Sequence, residues 1–221
     1  VVLGRQVKVG NDGISGVVGS TAIHNLSKEQ RETPPKYGDM YIDIGASSKE
    51  EAEKYVSLGD LICFDSEFVE LGGNCIKSKA IDDRAGCTAM IQLIREGVEY
   101  DTYFVFNVQE EVGLRGAKTA ANYVQPDIAI AVDVGVAIDT PGLSEKDGLT
   151  KAGNGPGLVL YDASLVTHKG LRDFIVNVAE EMNIPYQFDH IPGGGTDAGS
   201  FHVSGIGIPS IAITIPTSYI H

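Results

Sequence analysis

The chain has 221 residues, 43% hydrophobic and 21% charged, with 27 glycines and a net charge of −13. That size and balance describe a globular protein with room for one good core and a second, small domain. The acidity excludes a nucleic-acid partner, whose phosphates need Lys and Arg, and suits the attraction of cations; no apolar run reaches the length of a membrane span and no charged-then-apolar leader opens the sequence, so no membrane partner is expected.

Residues 1–73 read as β structure, with apolar runs over 5–9, 14–18, 40–44 and 60–64 separated by turn signals such as Asn11-Asp12-Gly13. Ser47 with Glu50 forms a capping-box pattern for one intervening helix, and the polar stretch 25–36, with Pro34-Pro35, reads as a surface loop. Short strands with one helix suggest a small β-barrel. From residue 74 the rhythm changes. Asp82 or Asp83 can cap a helix running to about Gly97, and strand 103–108, helix 115–123, strand 127–132 and strand 158–161 follow. Helix 169–182 carries Phe174, Val178 and Met182 at helical spacing, and then come strand 187–191, helix 197–203 and strand 211–215. This alternation predicts an α/β fold over 74–221, a mostly parallel sheet flanked by helices, with its site beyond the carboxyl ends of the strands. The chain opens on Val1-Val2-Leu3, already strand-like, and stops at Tyr219-Ile220-His221, just past another apolar run, so further sequence is expected at both ends. Cys63, Cys75 and Cys87 include no close-spaced metal pair, and so sparse a count fits a reducing cytoplasm better than a disulfide framework.

The chemistry gathers around Asn107-Val108-Gln109-Glu110-Glu111-Val112-Gly113, where a β-branched and aromatic run ends in two carboxylates and a turn. Neighbours on an extended chain point opposite ways, so one Glu can bind a cation while the other handles a proton. Asp82-Asp83 precede a helix, Asp133 ends the run 128–132, and His221 follows the last strand. Each alone has a bland alternative: a cap, a turn, an accident of the terminus. Together they bring carboxylates and an imidazole to one sheet edge, where like charges cost energy unless a cation lies among them. Such a donor set suits Zn²⁺, Co²⁺ or Mn²⁺, and a carboxylate can bridge a metal pair. The other candidate is Gly193-Gly194-Gly195-Thr196-Asp197-Ala198-Gly199, whose glycines could let backbone N–H groups approach a ligand, or which forms a tight turn with Asp197 as a cap. It is not a phosphate loop, because no Gly-Lys-Ser/Thr follows. His24, His168, His190 and His202 lack partners at ligand spacing and read as structural or surface residues.

In order, Ala80-Ile81-Asp82-Asp83-Arg84-Ala85-Gly86, Gln109-Glu110-Glu111-Val112-Gly113, Asp133-Val134-Gly135, residues 193–199 and the ending Tyr219-Ile220-His221 closely resemble the M42 family of metallo-aminopeptidases. That family includes glutamyl aminopeptidase, deblocking aminopeptidases and the tetrahedral TET peptidases. The resemblance covers nearly the whole chain. It implies a catalytic α/β domain with an inserted β-barrel, residues 1–73, that serves association. It also implies dimers that build a larger complex such as a dodecamer. The implied reaction removes the N-terminal residue of peptide substrates by means of two divalent metal ions, Zn²⁺ or Co²⁺. By position, Asp82 resembles the carboxylate bridging both metals, Glu111 and His221 the ligands of one, Asp133 a ligand of the other, and Glu110 the catalytic base. The peptide bond between Asp82 and Asp83 is expected to be cis. Gly193, Gly194, Gly195 and Thr196 remain the candidates for substrate binding. The family draws one further His from a segment ahead of the barrel, and no residue here matches it, so residues 1–221 by themselves are expected to hold metal partially or not at all and to be inactive. The rival readings are a metal-free glycoside hydrolase using Glu110 or Glu111 with Asp133, and a non-catalytic scaffold.

Overall fold

The computed structural model describes residues 2–144 and 149–220. The chain divides into two compact units, residues 1–79 and 80–221. In the first, β1 (Gln6–Val9) and β2 (Ile14–Ser20) form a hairpin. β3 (Met40–Asp43) and β4 (Ile62–Phe64) complete an antiparallel sheet in the order β3-β2-β1-β4, and β5 (Val69–Leu71) pairs separately with β6 (Cys75–Lys77). No ladder among the described residues joins β3 to β4. Alternation puts Val7, Val9 and Val18 on one face, where Ile14, Met40, Ile42, Ile44 and Val56 pack against them.

Two local expectations are corrected here. The stretch 25–36 is not all loop: Ser27 and Gln30 close a capping box on a single helical turn, α1 (Lys28–Arg31). The cap of α2 (Lys49–Ala52) is Ser48, whose hydroxyl accepts from Glu51 N, while the Glu51 carboxylate returns to the Ser47 N–H. The sequence Ser47-Ser48-Lys49-Glu50-Glu51 offers the same spacing twice, and the backbone selects the second.

The second unit is a mixed α/β layer structure. Its helices are α3 (Ile81–Glu96), α4 (Arg115–Val124), α5 (Lys169–Glu181) and α6 (Asp197–His202). Its strands are β7 (Ala129–Val136), β8 (Gly157–Asp162), β9 (Gln187–Ile191) and β10 (Ser210–Thr217), in the order β7-β10-β8-β9. β7 with β10 and β8 with β9 are parallel, but β10 runs antiparallel to β8, which makes the sheet mixed. Adjacent strand residues serve opposite faces. Leu158 and Ile211 pack with Leu171, Ile175 and Val176 of α5, while Val159 and Ala212 pack with Ala198 of α6.

Three expectations fail in this unit. Residues 103–108 form no ladder among the described residues, and Tyr103 and Val108 are each 69% exposed. Composition dictates an extended backbone there; a ladder needs a distant partner that composition does not specify. In α5 Leu171 and Ala179 are buried and Ile175, Val176 and Val178 partly so, while Phe174 and the C-cap Met182 face outward. Both series have helical spacing, and only packing chooses between them. Finally, β7 runs on to Val136, so Asp133 lies within the strand, opposite Thr214, rather than at its end.

Candidate active site

Asp82, Glu110, Glu111 and Asp133 line one cavity of about 560 Å³, together with the loop Gly193, Gly194, Gly195 and Thr196. Asp189, His190 and Ile220 line it too. His221, the remaining proposed ligand, lies outside the described residues, although its neighbour Ile220 reaches the cavity.

Local backbone sets each of these groups. The peptide bond between Asp82 and Asp83 is cis, and both residues leave helical φ/ψ at the start of α3. Asp83 turns back on its own helix, its Oδ1 accepting the Gly86 N–H at 2.9 Å, which makes it the capping side chain. Gly86 is required by close approach: a Cβ there would lie 2.5 Å from Asp83 Oδ2 and 2.7 Å from the Val132 carbonyl. Glu110 begins a tight turn in which its carbonyl accepts from both Gly113 N and Leu114 N at 2.9 Å. Asp133 Oδ1 accepts the Val134 N–H at 2.8 Å.

The electrostatics follow from crowding. Burial, with the charges of Asp133, Asp197, Glu111 and Asp82, pushes Glu110 up to about 7. Burial raises Asp133 to about 7 as well, with Asp83, Asp82 and Asp197 adding to it and the Val134 N–H opposing it. Asp83 rises to about 6, again chiefly through burial. Three carboxyls held near neutrality mark a place where anionic charge is in excess, and a cation is what would relieve it. Among the described residues, no three His, Cys, Asp or Glu side chains close around an ion by themselves.

Several participants escaped sequence reasoning. Asp197, read as a cap, instead accepts from Asn107 Nδ2 at 2.9 Å on Oδ2, while its Oδ1 is buried without a hydrogen-bond partner and its charge presses on Asp83, Glu110 and Asp133. Asp189 is buried beside the cavity and accepts from Thr214 Oγ1 at 3.1 Å. His190 contributes to the wall, with Nδ1 buried and unpartnered and its ring edge-on to Tyr161. Asp162 lies behind the glycine loop. A carboxylate at the end of an apolar run was the signal that marked Glu110, with only Gln109 between it and Val108, and Asp162 directly follows the run 158–161. His168 is structural: its Nδ1 accepts the Leu171 N–H at the start of α5.

A putative aminopeptidase of Acetivibrio thermocellus is 44% identical over 221 residues, covering 99% of this chain and 64% of that protein. The crystal structure of a TET aminopeptidase from a marine sediment Thaumarchaeota archaeon superposes with a TM-score of 0.92 at 42% identity, over 100% of this chain and 64% of that one. A TET1 peptidase of Pyrococcus horikoshii, which can assemble into a tetrahedron or a large octahedral shell, superposes with a TM-score of 0.83 at 35% identity, over 100% of this chain and 66% of that one. The chain thus spans less than two-thirds of the length of these relatives. The model of the M42 glutamyl aminopeptidase family matches residues 1–221, end to end, and the chain belongs to that family.

Proposed function

We propose that this protein hydrolyses the N-terminal residue from peptides with a pair of bound divalent cations. The observation that carries the reading is the convergence of Asp82, Glu110, Glu111 and Asp133 on the cavity faced by the glycine loop, in a chain of the M42 family. Asp82 would bridge the two cations, Glu111 and His221 would hold one, and Asp133 the other. The donor set of carboxylates plus imidazole suits Zn²⁺ or Co²⁺. When bound, the cations supply Lewis acidity at the scissile carbonyl and make an attacking water more acidic.

The chain's own groups do the rest. Glu110 takes a proton from the attacking water on its carboxylate and delivers it to the leaving amine. In the metal-free chain its pKa is pushed up to about 7, by burial first and then by the neighbouring charges, and bound cations would offset those charges. The acidic wall attracts the peptide's free amine, which admits chain ends and excludes internal bonds. Backbone N–H groups of Gly193 and Gly195 are the groups left to receive the substrate backbone, because Gly194 N donates to the Ile191 carbonyl and both the N–H and the hydroxyl of Thr196 are spent on Asp162. The first unit, residues 1–79, acts as the small inserted barrel through which copies associate, as dimers and then as a larger complex. Exposed apolar side chains such as Leu58, Leu61 and Phe68 support that role. No helix among the described residues is long and apolar enough to cross a membrane. The sparse, unpaired cysteines Cys63, Cys75 and Cys87 support a reducing, cytoplasmic setting.

The test uses protein expressed from the complete coding sequence. Glu110→Gln should abolish release of N-terminal residues and leave metal content at the wild-type level, since the base is not a ligand. Glu111→Gln should lose metal. The reverse pattern by elemental analysis would exchange their roles, and an inert wild type with both metals bound would refute the activity.

A further inference from the structure

We propose that Asp162 is a positioning residue that holds the loop 193–196 in the shape that receives substrate, an inference that rests on the reading of that loop as the substrate-binding side. Asp162 closes β8 and is 7% exposed. No Lys or Arg is paired with it among the described residues. Neutral donors surround it instead. Oδ1 accepts from Ser164 N at 2.6 Å, Ser164 Oγ at 2.8 Å and Leu165 N at 2.7 Å. Oδ2 accepts from Thr196 N at 3.0 Å and Thr196 Oγ1 at 2.8 Å. These bonds saturate a carboxylate, which offers about four lone-pair directions, and fix its orientation. One oxygen therefore grips the turn after β8 and the other grips the end of the glycine loop, 34 residues along the chain.

The loop needs such a grip. Three consecutive glycines lose more conformational freedom on ordering than any other tripeptide, and within the loop only the long 3.4 Å turn bond from Gly194 N to the Ile191 carbonyl opposes that freedom among the hydrogen bonds of the described residues. Two further contacts show that the turn after β8 is the template. Ala163 N donates to the Gly194 carbonyl at 2.8 Å, and a Cβ on Gly195 would lie 2.9 Å from Ser164 Oγ. Thr196 is buried at 2% exposure with both polar groups turned to Asp162, so the loop is pinned from behind while its glycine backbone faces the cavity. Asp162 thus acts on substrate only through the loop. An amide at this position would meet donors on both sides: its NH₂ must oppose either the Ser164–Leu165 group or Thr196, and one grip is lost.

The test compares Asp162→Asn, Thr196→Val and the double variant in the metal-loaded protein from the complete coding sequence, by amide hydrogen exchange and by steady-state kinetics. Asp162→Asn should speed exchange at 193–196 by roughly tenfold or more, the scale of one lost buried hydrogen bond to a charged group, with β10 amides unchanged. It should raise KM by a similar factor, leave kcat within about threefold, and keep the metal content. The double variant should be no worse than Asp162→Asn alone, because one contact serves both residues. Unchanged exchange at 193–196 overturns the proposal, as does a loosened loop with unaltered KM, a fall in kcat at constant KM, or additive effects in the double variant. Should Asp162→Asn fail to fold, Thr196→Val carries the same two readouts. A wild type without peptidase activity would refute the proposed function separately, and the exchange arm would still decide whether Asp162 anchors the loop.

Discussion

Asp133→Asn should stabilise the metal-free protein while destroying one of its metal positions. The Asp133 carboxyl rises from 3.8 to about 7 on folding, chiefly through burial. A carboxyl whose folded pKa lies above its unfolded one binds its proton more tightly in the native state, so stability falls as pH rises between the two values. The cost is absent below about pH 4, grows to about pH 7 and is complete above it. A rise of roughly three pH units corresponds to a ceiling of about 4 kcal/mol. Asp133 is only partly buried and solvent screens part of that cost, so about 2 kcal/mol is expected for the single substitution, or roughly 4–8 °C in Tm for a chain of this size. Asparagine keeps an oxygen for the Val134 N–H, so no backbone bond is forfeited. The assay is urea unfolding of chelator-treated wild type and variant at pH 8 and at pH 4. The variant should lead at pH 8 and draw level at pH 4, and adding Zn²⁺ should reverse the order at pH 8 by stabilising wild type more. A variant less stable than wild type at pH 8 without metal, or an equal gain at both pH values, would refute the reasoning.

Asp82→Asn should lower the occupancy of both metals, because a bridge serves both; loss of one alone in elemental analysis would make Asp82 a terminal ligand. A chelator should inactivate wild type and Zn²⁺ or Co²⁺ should restore it. Gly86→Ala should cost about 1–3 kcal/mol, since its Cβ would meet the Val132 carbonyl at 2.7 Å and α3 would have to shift away from β7; an unchanged urea midpoint would show that the approach is slack. Light scattering should find an oligomer at micromolar concentration, and a monomer would remove the role proposed for residues 1–79.

The proposed ligands and base were legible because each follows a local rule: Glu110 and Glu111 after an apolar run, Asp82 and Asp83 before a helix, glycines where the chain must approach something closely. Local rules also placed most strands and helices of both units, since periodicity and caps act over a few residues. They failed where the deciding partner lies far along the chain. The run 103–108 is strand-like by composition, yet it forms no ladder among the described residues. The face of α5 that is buried depends on which side meets Leu158 and Ile211. The direction of β10 against β8 depends on the path of the whole chain. Asp189 and His190 entered the cavity wall, Asp197 took the Asn107 amide, and Asp162 gripped Thr196, through contacts that no spacing encodes. The sequence by itself determined which side chains are available for chemistry and which backbone segments present them. Only the tertiary structure decided how these carboxylates bear on one another, because burial and Coulomb interaction depend on distances in space that separation along the chain does not fix.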